Sequence, residues 1–213
     1  MDVCEITLLY YSAHSLPPKT EENIRNELIK TVGKRYPIIS VTQKPVNLGK
    51  NICVGEIGKS HYNCYKQILI GLKEVKTEFV ACCEDDSLYN LEHFNYRPDK
   101  ISYNKHMWFL EHHTYWHKGQ TGMFACIAPT KLILEDLEKR FKETPTEPLP
   151  RRSQRHTWKE PVGEYFATET PLITLNYFDG LDGKKKSSTH KRTEADSLEP
   201  YGSAKELFTR LWQ

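Results

Sequence analysis

The chain has 213 residues, of which 38% are hydrophobic, 11% aromatic and 27% charged, and its formal net charge is +2. A disordered chain is poorer in aromatic residues and further from charge balance, so this composition predicts a folded protein with one domain over residues 1–213. No apolar run approaches the roughly 20 residues that cross a bilayer, which excludes a membrane-spanning helix.

The first residues and the cysteines indicate the cellular compartment. The N-terminal sequence Met-Asp-Val-Cys-Glu lacks the basic start and the apolar middle of a signal peptide. The six cysteines form no C-x-x-C pair, which is typical of reduced thiols rather than of a disulfide framework or a zinc site. We therefore expect a cytoplasmic protein.

Strand and helix patterns alternate in the first half of the chain. Hydrophobic periodicity predicts strands over 4–11, 38–42 and 78–83 and helices over 21–32 and 60–75. We expect Gly33 to end the first helix, Ser60 to cap the second, and the glycine-containing segment 44–58 to be a loop. This βαβαβ order predicts an α/β fold with a mostly parallel central sheet covered by helices.

The second half is less regular in its patterns. It predicts strands over 107–110, 123–127 and 172–178 and helices over 129–141, 160–167 and 203–211. No internal repeat and no clear second domain are present in the sequence, so we expect these elements to complete the same domain.

Three acids, Glu84, Asp85 and Asp86, directly follow the third predicted strand. Side chains at the carboxyl ends of parallel strands meet on the ligand side of an α/β sheet. Carboxylate oxygens suit Mg²⁺ or Mn²⁺, and such an ion can neutralise a departing diphosphate. The position after a buried strand favours a metal site, and a solvated acidic turn is the alternative interpretation.

With these residues the chain resembles the GT-A glycosyltransferases, which use nucleotide-activated sugars and carry a D-x-D-type motif at this place. The resemblance covers most of the chain and includes 6–11 as the first strand, 65–69 in the helix before the motif, and then 79–86. It implies a single GT-A-like domain with a Rossmann-like N-terminal half. In that comparison 1–86 binds the nucleotide sugar and 87–213 binds the acceptor.

The resemblance also implies roles for individual residues at this site. Asp86 is expected to touch the metal most directly, and Glu84 to bind the metal, the ribose or the sugar. Asp85 is expected to contact the donor sugar and is a candidate catalytic group. At the exit of the first strand, Tyr11 is expected to stack on the nucleobase and Ser12 to hydrogen-bond it.

A second group of candidate residues lies in the basic stretch 184–192. A late histidine often completes the metal site in GT-A enzymes, and His190 resembles that ligand. Lys186, Lys191 and Arg192 are then candidate donor-binding cations on a flexible segment that closes over the diphosphate. A solvated basic loop with an exposed histidine is the alternative.

A transferase that inverts the anomeric carbon needs a general base on the acceptor hydroxyl. The GT-A pattern places that acid at the start of a late short helix, which indicates Glu164, with Glu160 as the second candidate. A surface acid is the alternative, and the sequence leaves inverting and retaining chemistry both open. Trp116, between two predicted strands, is a candidate wall for the sugar or the acceptor, with a core tryptophan as the alternative.

A second basic stretch, 151–159, bears on the acceptor. It contains the candidate acceptor-binding residues Arg151, Arg152, Arg155 and Trp158. Arginines bind phosphates and an aromatic ring can stack on a displaced base, although a soluble loop has the same composition.

The runs at 85–94 and 199–204 resemble small bacteriophage glycosyltransferases, several of which are associated with glycosylating hydroxymethylated pyrimidines in DNA. We therefore expect a glycosyltransferase, dependent on Mn²⁺ or Mg²⁺, that moves a sugar from a UDP-linked donor to hydroxymethylated DNA in an infected bacterium. A cell-surface glycan or a protein is the alternative acceptor. An inactive GT-A-like module that binds nucleic acid or sugar is the alternative of another class.

Overall fold

The computed structural model describes residues 4–117, 119, 121–144, 159–176 and 192–213. The strands are, in chain order, β1 (Ile6–Ser12), β2 (Ile38–Thr42), β3 (Lys50–Cys53), β4 (Phe79–Glu84), β5 (Ser87–Leu88), β6 (Ser102–Asn104), β7 (Met107–Glu111), β8 (Thr114–His117), β9 (Cys126–Pro129), β10 (Glu164–Phe166), β11 (Leu172–Leu175), β12 (Thr193–Ala195), β13 (Ser197–Leu198) and β14 (Gly202–Ser203). The α-helices are α1 (Pro18–Val32), α2 (His61–Leu72), α3 (Leu91–Phe94), α4 (Thr130–Glu143) and α5 (Ala204–Trp212). Within the described ranges, no helix combines the length and the apolar character needed to cross a bilayer.

The central sheet has seven strands in the order β10-β6-β9-β4-β1-β2-β3. Every strand except β9 runs in the same direction, because only the pairs that involve β9 are antiparallel. The predicted α/β class with a mostly parallel, helix-covered sheet is confirmed.

The winding of this sheet reverses between β1 and β4. From β1 the chain moves outward to β2 and β3, and it then returns past β1 to place β4 on the other side. In open α/β sheets, ligands bind outside the carboxyl ends of the strands at such a reversal. The topology alone therefore singles out the ends of β1 and β4.

Strand β1 is buried along its whole length and divides the core into two layers. Ile6, Leu8 and Tyr10 pack on the face that α1 covers, together with Leu28 of that helix. Leu9 and Tyr11 face the opposite layer, which holds apolar residues of α2 and α4. This alternation follows from the two-residue period of a strand, and it locks the register of the central strand.

A second sheet has five strands in the order β12-β8-β7-β11-β5, in which only β7 and β11 are parallel. Helix α5 covers it through Leu207 and Leu211, which pack with Leu110, Tyr115 and Ile173. Because β5 follows the three acids along the chain and pairs with β11, this sheet brings the end of β11 close to the end of β4.

Both predicted helix caps in the first half are confirmed, although α1 begins three residues earlier and α2 ends three residues earlier than predicted. The Gly33 N–H donates to the Ile29 carbonyl at 2.7 Å, and the φ of 57° at Gly33 is one that glycine adopts readily. The Ser60 hydroxyl accepts a hydrogen bond from the Asn63 N–H at 3.1 Å, as an N-cap does.

Three of the secondary-structure predictions made from the sequence are wrong. The expected loop 44–58 contains β3, a short and partly exposed strand that pairs with β2 and lacks an apolar pattern. The expected strand over 123–127 begins with a 3-10 turn at Met123–Ala125. The expected helix over 160–167 is instead β10, and a Cβ on Gly163 would lie 2.3 Å from the Ile101 carbonyl oxygen. Glycine permits this close approach, which pairs β10 with β6.

Candidate active site between the ends of β1 and β4

A cavity of about 230 Å³ opens where the winding of the central sheet reverses. Its walls come from the ends of β1, β4 and β11, the start of α2, and the turn at 121–124. The predicted site residues that line it are Tyr11, Ser12, Glu84, Asp85 and Asp86. The structure therefore brings these five together at one cavity, and their roles there stay predictions.

Tyr11 and Glu84 are opposite each other in the register of β1 and β4. The Tyr11 hydroxyl donates to Glu84 Oε1 at 2.7 Å, and the Glu84 backbone N–H donates to the Tyr89 hydroxyl at 2.9 Å. Only 4% of Tyr11 is exposed. The structure therefore shows Tyr11 in contact with Glu84, which this hydrogen bond orients. Stacking of Tyr11 on a nucleobase stays a prediction.

Ser12 links the first strand to Asp85. Its hydroxyl donates to Asp85 Oδ2 at 2.5 Å and accepts a hydrogen bond from the His14 N–H at 2.9 Å. The His14 imidazole donates through Nδ1 to Glu21 Oε2 at 2.7 Å, and this hydrogen bond raises the pKa of His14. A chain of polar contacts thus runs from α1 to the carboxylate and fixes the position of the Ser12 hydroxyl.

Asp86 is fixed from the other side of the cavity. Its Oδ1 accepts hydrogen bonds from the Ser87 hydroxyl at 3.0 Å and from the Thr174 hydroxyl at 3.3 Å. Its backbone carbonyl accepts one from the Leu175 N–H at 2.8 Å. The acids therefore lie between β1 on one side and β11 on the other.

The two aspartates destabilise each other's charged forms. Burial raises the pKa of Asp85, and the neighbouring Asp86 charge raises it further, against the opposing hydrogen bond from Ser12. Burial also raises the pKa of Asp86. Strongly perturbed carboxyl groups in a cleft are typical of functional sites, because a ligand or an ion that supplies positive charge relieves the penalty.

The carboxylates of Glu84 and Asp86 fit a divalent cation whose coordination substrate oxygens would complete. Within 4–117, 119, 121–144, 159–176 and 192–213, no three His, Cys, Asp or Glu side chains are grouped so as to hold a metal ion. Mg²⁺ is commonly held by one or two carboxylates together with substrate phosphates, and Asp86 with Glu84 match that need. His190, the predicted third ligand, lies outside the described residues.

Trp116 and Arg192 are not among the cavity-lining residues, which corrects the predictions for both. Trp116 is 2% exposed and stacks on Phe109 with 4.0 Å between ring centroids, so Phe109 forms the wall instead. The Arg192 guanidinium lies over the Trp116 ring at 4.3 Å and 3.7 Å from Glu111. Packing in the second sheet therefore accounts for both residues.

Glu164 also lies away from the cavity lining, and the placement favours the second candidate. It is exposed on β10, and Lys100 Nζ donates to its Oε1 at 2.5 Å. Glu160, four residues earlier, lines the cavity near Gly122. The assignment of the general base to Glu164 rested on a predicted helix, but 164–166 is a strand. Of the two candidate bases, only Glu160 lines the cavity.

The other predicted site residues lie outside the described residues and keep the status of predictions. They are Lys186, Lys191, His190, Arg151, Arg152, Arg155 and Trp158.

The sequence analysis missed two residues that shape the cavity. Gln67 Nε2 donates to the carbonyls of Ser12 and Val41, at 2.8 Å each, and so ties the ends of β1 and β2 to α2. The sequence feature that could have identified Gln67 is a polar residue on the apolar face of a predicted helix. Asn176 lines the cavity at the end of β11, and its signal was the one used for the acids, a polar residue directly after a buried strand.

No protein-family model and no curated protein sequence matches this chain. Among solved structures, it is similar to a glycosyltransferase involved in the glycosylation of the major capsid of PBCV-1, with 11% identity, a TM-score of 0.47, and coverage of 79% of this chain and 91% of that chain. It is also similar to S. aureus TarS 1-349 in complex with UDP-GlcNAc, with 11% identity, a TM-score of 0.46, and coverage of 88% and 62%. The bifunctional IspDF from Campylobacter jejuni follows with 11% identity, a TM-score of 0.43, and coverage of 86% and 52%.

This chain spans only 36% of the longer S. aureus TarS structure and 52% of the IspDF chain. Likenesses this distant do not identify the activity, so the proposed function rests on the site itself.

The raised pKa values make stability depend on pH. Between the ordinary carboxyl pKa of about 4 and the raised values, the folded protein binds more protons than the unfolded chain. The free energy of unfolding therefore falls as the pH rises through that window.

We predict that Asp86→Asn stabilises the protein at pH 8 by about 1 kcal/mol, which raises Tm by about 2–4 °C. The asparagine Oδ1 keeps both hydroxyl donors, while the charge next to Asp85 is removed. The gain should vanish near pH 4, where both aspartates are protonated. Thermal unfolding without divalent cations measures it, with Asp99→Asn as an exposed control. A variant less stable than the wild type at pH 8 would contradict the electrostatic account.

Proposed function

We propose that the protein is a metal-dependent glycosyltransferase that moves a sugar from a nucleotide-sugar donor to a hydroxyl acceptor. The observation that carries this proposal is the group of three acids at the reversal between β1 and β4, which line a cavity and of which two have raised pKa values. Such a site gains most from a ligand that arrives with a cation, and a metal-bound diphosphate is that kind of ligand.

Asp86 and Glu84 are the residues that would hold Mg²⁺ or Mn²⁺. Bound there, the cation would neutralise the charge that develops on the departing diphosphate. Tyr11 holds Glu84 in place from β1, and Thr174 holds Asp86 from β11. The protein therefore presents both carboxylates in fixed positions, so little reorganisation is needed when the donor binds.

The nucleotide half of the donor fits the side of the cavity formed by β1 and α2. Ser12 lies there next to Asp85, and Ser60 and His61 mark the N-terminus of α2, which faces the cavity. A helix N-terminus attracts phosphate because its first N–H groups lack partners within the helix. The UDP-linked donor remains an expectation from the sequence resemblance.

Glu160 is the base that the geometry supports for an inverting transfer. Its carboxylate takes the proton from the acceptor hydroxyl as that oxygen bonds to the anomeric carbon. The bond from the anomeric carbon to the diphosphate oxygen breaks in the same step, and its electron pair leaves with the nucleoside diphosphate. Asp85, between Ser12 and Asp86, lies where the donor sugar would meet the diphosphate.

We propose hydroxymethylated pyrimidine in DNA as the acceptor. The support is the sequence resemblance and the cations of 151–159 and 184–192, two basic stretches that flank β10 and β11 in the sequence. The hydroxymethyl group lies in the major groove of DNA, where its oxygen is accessible to an enzyme. A cell-surface glycan or a protein acceptor is the alternative that the acceptor assay separates.

The first test uses the wild-type protein with Mn²⁺ and a panel of UDP-, GDP- and dTDP-sugars, and measures release of the nucleoside diphosphate. We predict release that a chelator stops, and a loss of about 100-fold or more in Asp86→Ala. Asp99→Ala is the matched control, since that acid is exposed and is not among the cavity-lining residues. Metal-dependent binding of a nucleotide sugar without turnover would indicate the inactive binding module instead.

The second test compares Glu160→Gln with Glu164→Gln. Removal of a general base lowers kcat by about 10²–10⁴-fold with little change in KM, so we predict that fall for Glu160→Gln and near-normal turnover for Glu164→Gln. Steady-state rates with saturating donor measure the difference. A fall confined to Glu164→Gln would restore the assignment made from the sequence.

The third test addresses the acceptor with hydroxymethylated and plain DNA, and detects the added sugar by mass spectrometry of digested nucleosides. We predict product only from hydroxymethylated DNA, and about a tenfold higher KM for DNA in the double variant Arg151→Glu and Arg152→Glu, because arginine contacts to phosphates supply affinity. Lys131→Glu with Lys139→Glu, on the exposed side of α4, is the charge-matched control. Equal KM values for DNA in both double variants would contradict the proposal that Arg151 and Arg152 contact DNA.

A further inference from the structure

We infer that Asn176 recognises the sugar of the donor through its side-chain oxygen, that Glu111 orients Asn176, and that the donor sugar is therefore not acidic. This inference rests on the proposed function, and it assigns the part of the cavity wall that the nucleotide does not use. It concerns the end of β11 and the neighbouring strand β7.

The acids separate the cavity into two sides. Tyr11 and Ser12 lie on the β1 side, whereas Phe109, Thr174 and Asn176 lie on the side formed by β7 and β11. Asp86 is hydrogen-bonded to the second side through Thr174. If the nucleotide occupies the β1 side and the diphosphate lies at the acids, the next group of the donor reaches the β11 side, and that group is the sugar.

The orientation of the Asn176 amide is determined by its partner. Its Nδ2 donates to Glu111 Oε2 at 3.2 Å, and its backbone N–H donates to the Leu110 carbonyl at 2.9 Å. A carboxylate only accepts hydrogen bonds, so the amide nitrogen must face Glu111. The side-chain oxygen is then left to accept a hydrogen bond from a ligand in the cavity that Asn176 lines.

Glu111 is itself held from its other side. The Arg192 Nη1 lies 3.7 Å from Glu111 Oε2, and the same guanidinium lies over the Trp116 ring, which is stacked on Phe109. The side chains of Glu111 and Arg192 are 22% and 13% exposed, so solvent weakens this ion pair less than it does at a free surface. Glu111 therefore acts on the ligand through Asn176 and is a positioning residue.

This wall has a clear chemical preference. An amide oxygen accepts from a sugar hydroxyl or an amide N–H, but it cannot donate to a carboxylate. The cavity already contains Glu84, Asp85, Asp86 and Glu160, so an acidic sugar would add a like charge without a new donor. A neutral sugar rich in hydroxyl groups, with or without an N-acetyl group, fits this side.

Calorimetry with Mn²⁺ tests the inference by comparing a nucleoside diphosphate with its sugar conjugates. UDP, GDP and dTDP are titrated beside their glucose conjugates, and the nucleotide that the wild type binds most tightly is carried forward. The gain in affinity from the sugar should fall about tenfold in Asn176→Ala, the effect of one lost hydrogen bond, while affinity for the bare nucleotide is unchanged. In the wild type, the glucuronate conjugate should bind about tenfold more weakly than the glucose conjugate.

Glu111→Ala is measured both in the wild-type protein and in the Asn176→Ala variant. If Glu111 acts through Asn176, its replacement lowers the sugar's contribution only in the wild-type background. Asn176→Asp keeps the size of the side chain but places a carboxylate against Glu111, and it should also lose the sugar's contribution. Asn95→Ala, an exposed asparagine outside the cavity lining, is the control, and thermal unfolding checks that each variant is folded.

The failures of the two proposals are distinguishable. A wild-type protein that binds no nucleotide or nucleotide sugar overturns the proposed function, and the inference with it. A wild type that binds a nucleotide sugar overturns the inference alone if Asn176→Ala weakens the bare nucleotide and the conjugate equally. Equal effects of Glu111→Ala in both backgrounds, or tighter binding of glucuronate, would also overturn it.

Discussion

The parallel pairing of β1 with β4 is the constraint on which the site depends. This register sets Tyr11 opposite Glu84, and it ends both strands at the same edge of the sheet, so the acids that follow β4 meet the hydroxyls that end β1. The pairing is stable because β1 is buried on both faces, and a shift by one residue would move each of its side chains into the opposite layer of the core. The core thus determines where the charges lie.

The aspartates at the end of β4 lower the stability of the folded protein at neutral pH. The buried Asp85 and the partly buried Asp86 both have raised pKa values and repel each other when ionised, and hydroxyl donors offset only part of that cost. A protein selected for stability alone would replace one of these acids by an uncharged residue. Their presence in a cavity is the reason for which we propose a cationic ligand there.

Much of the first half could be predicted from the sequence, because its elements are long, periodic and capped by Gly33 and Ser60. The position of the acids at 84–86 followed from the same reasoning, since acids that directly follow a buried parallel strand lie at the carboxyl edge of the sheet. In the second half, the sequence patterns predicted α4, α5, β7 and β11, but not the other short strands, whose contacts are distant in sequence. Gly163 illustrates this: a close approach to Ile101 decides that 164–166 is a strand, and only the folded chain shows that neighbour.

Glu111 also contacts the residues on either side of 177–191, since Asn176 and Arg192 both meet its carboxylate. The second sheet therefore holds both ends of that stretch at a fixed separation. The entropy of joining two fixed anchors grows only slowly with the number of residues between them, so we expect insertions and deletions between Asn176 and Arg192 to have little effect on the stability of the fold. The number of residues between these anchors can therefore change almost independently of the scaffold, which offers evolution a route to new acceptors without a new core.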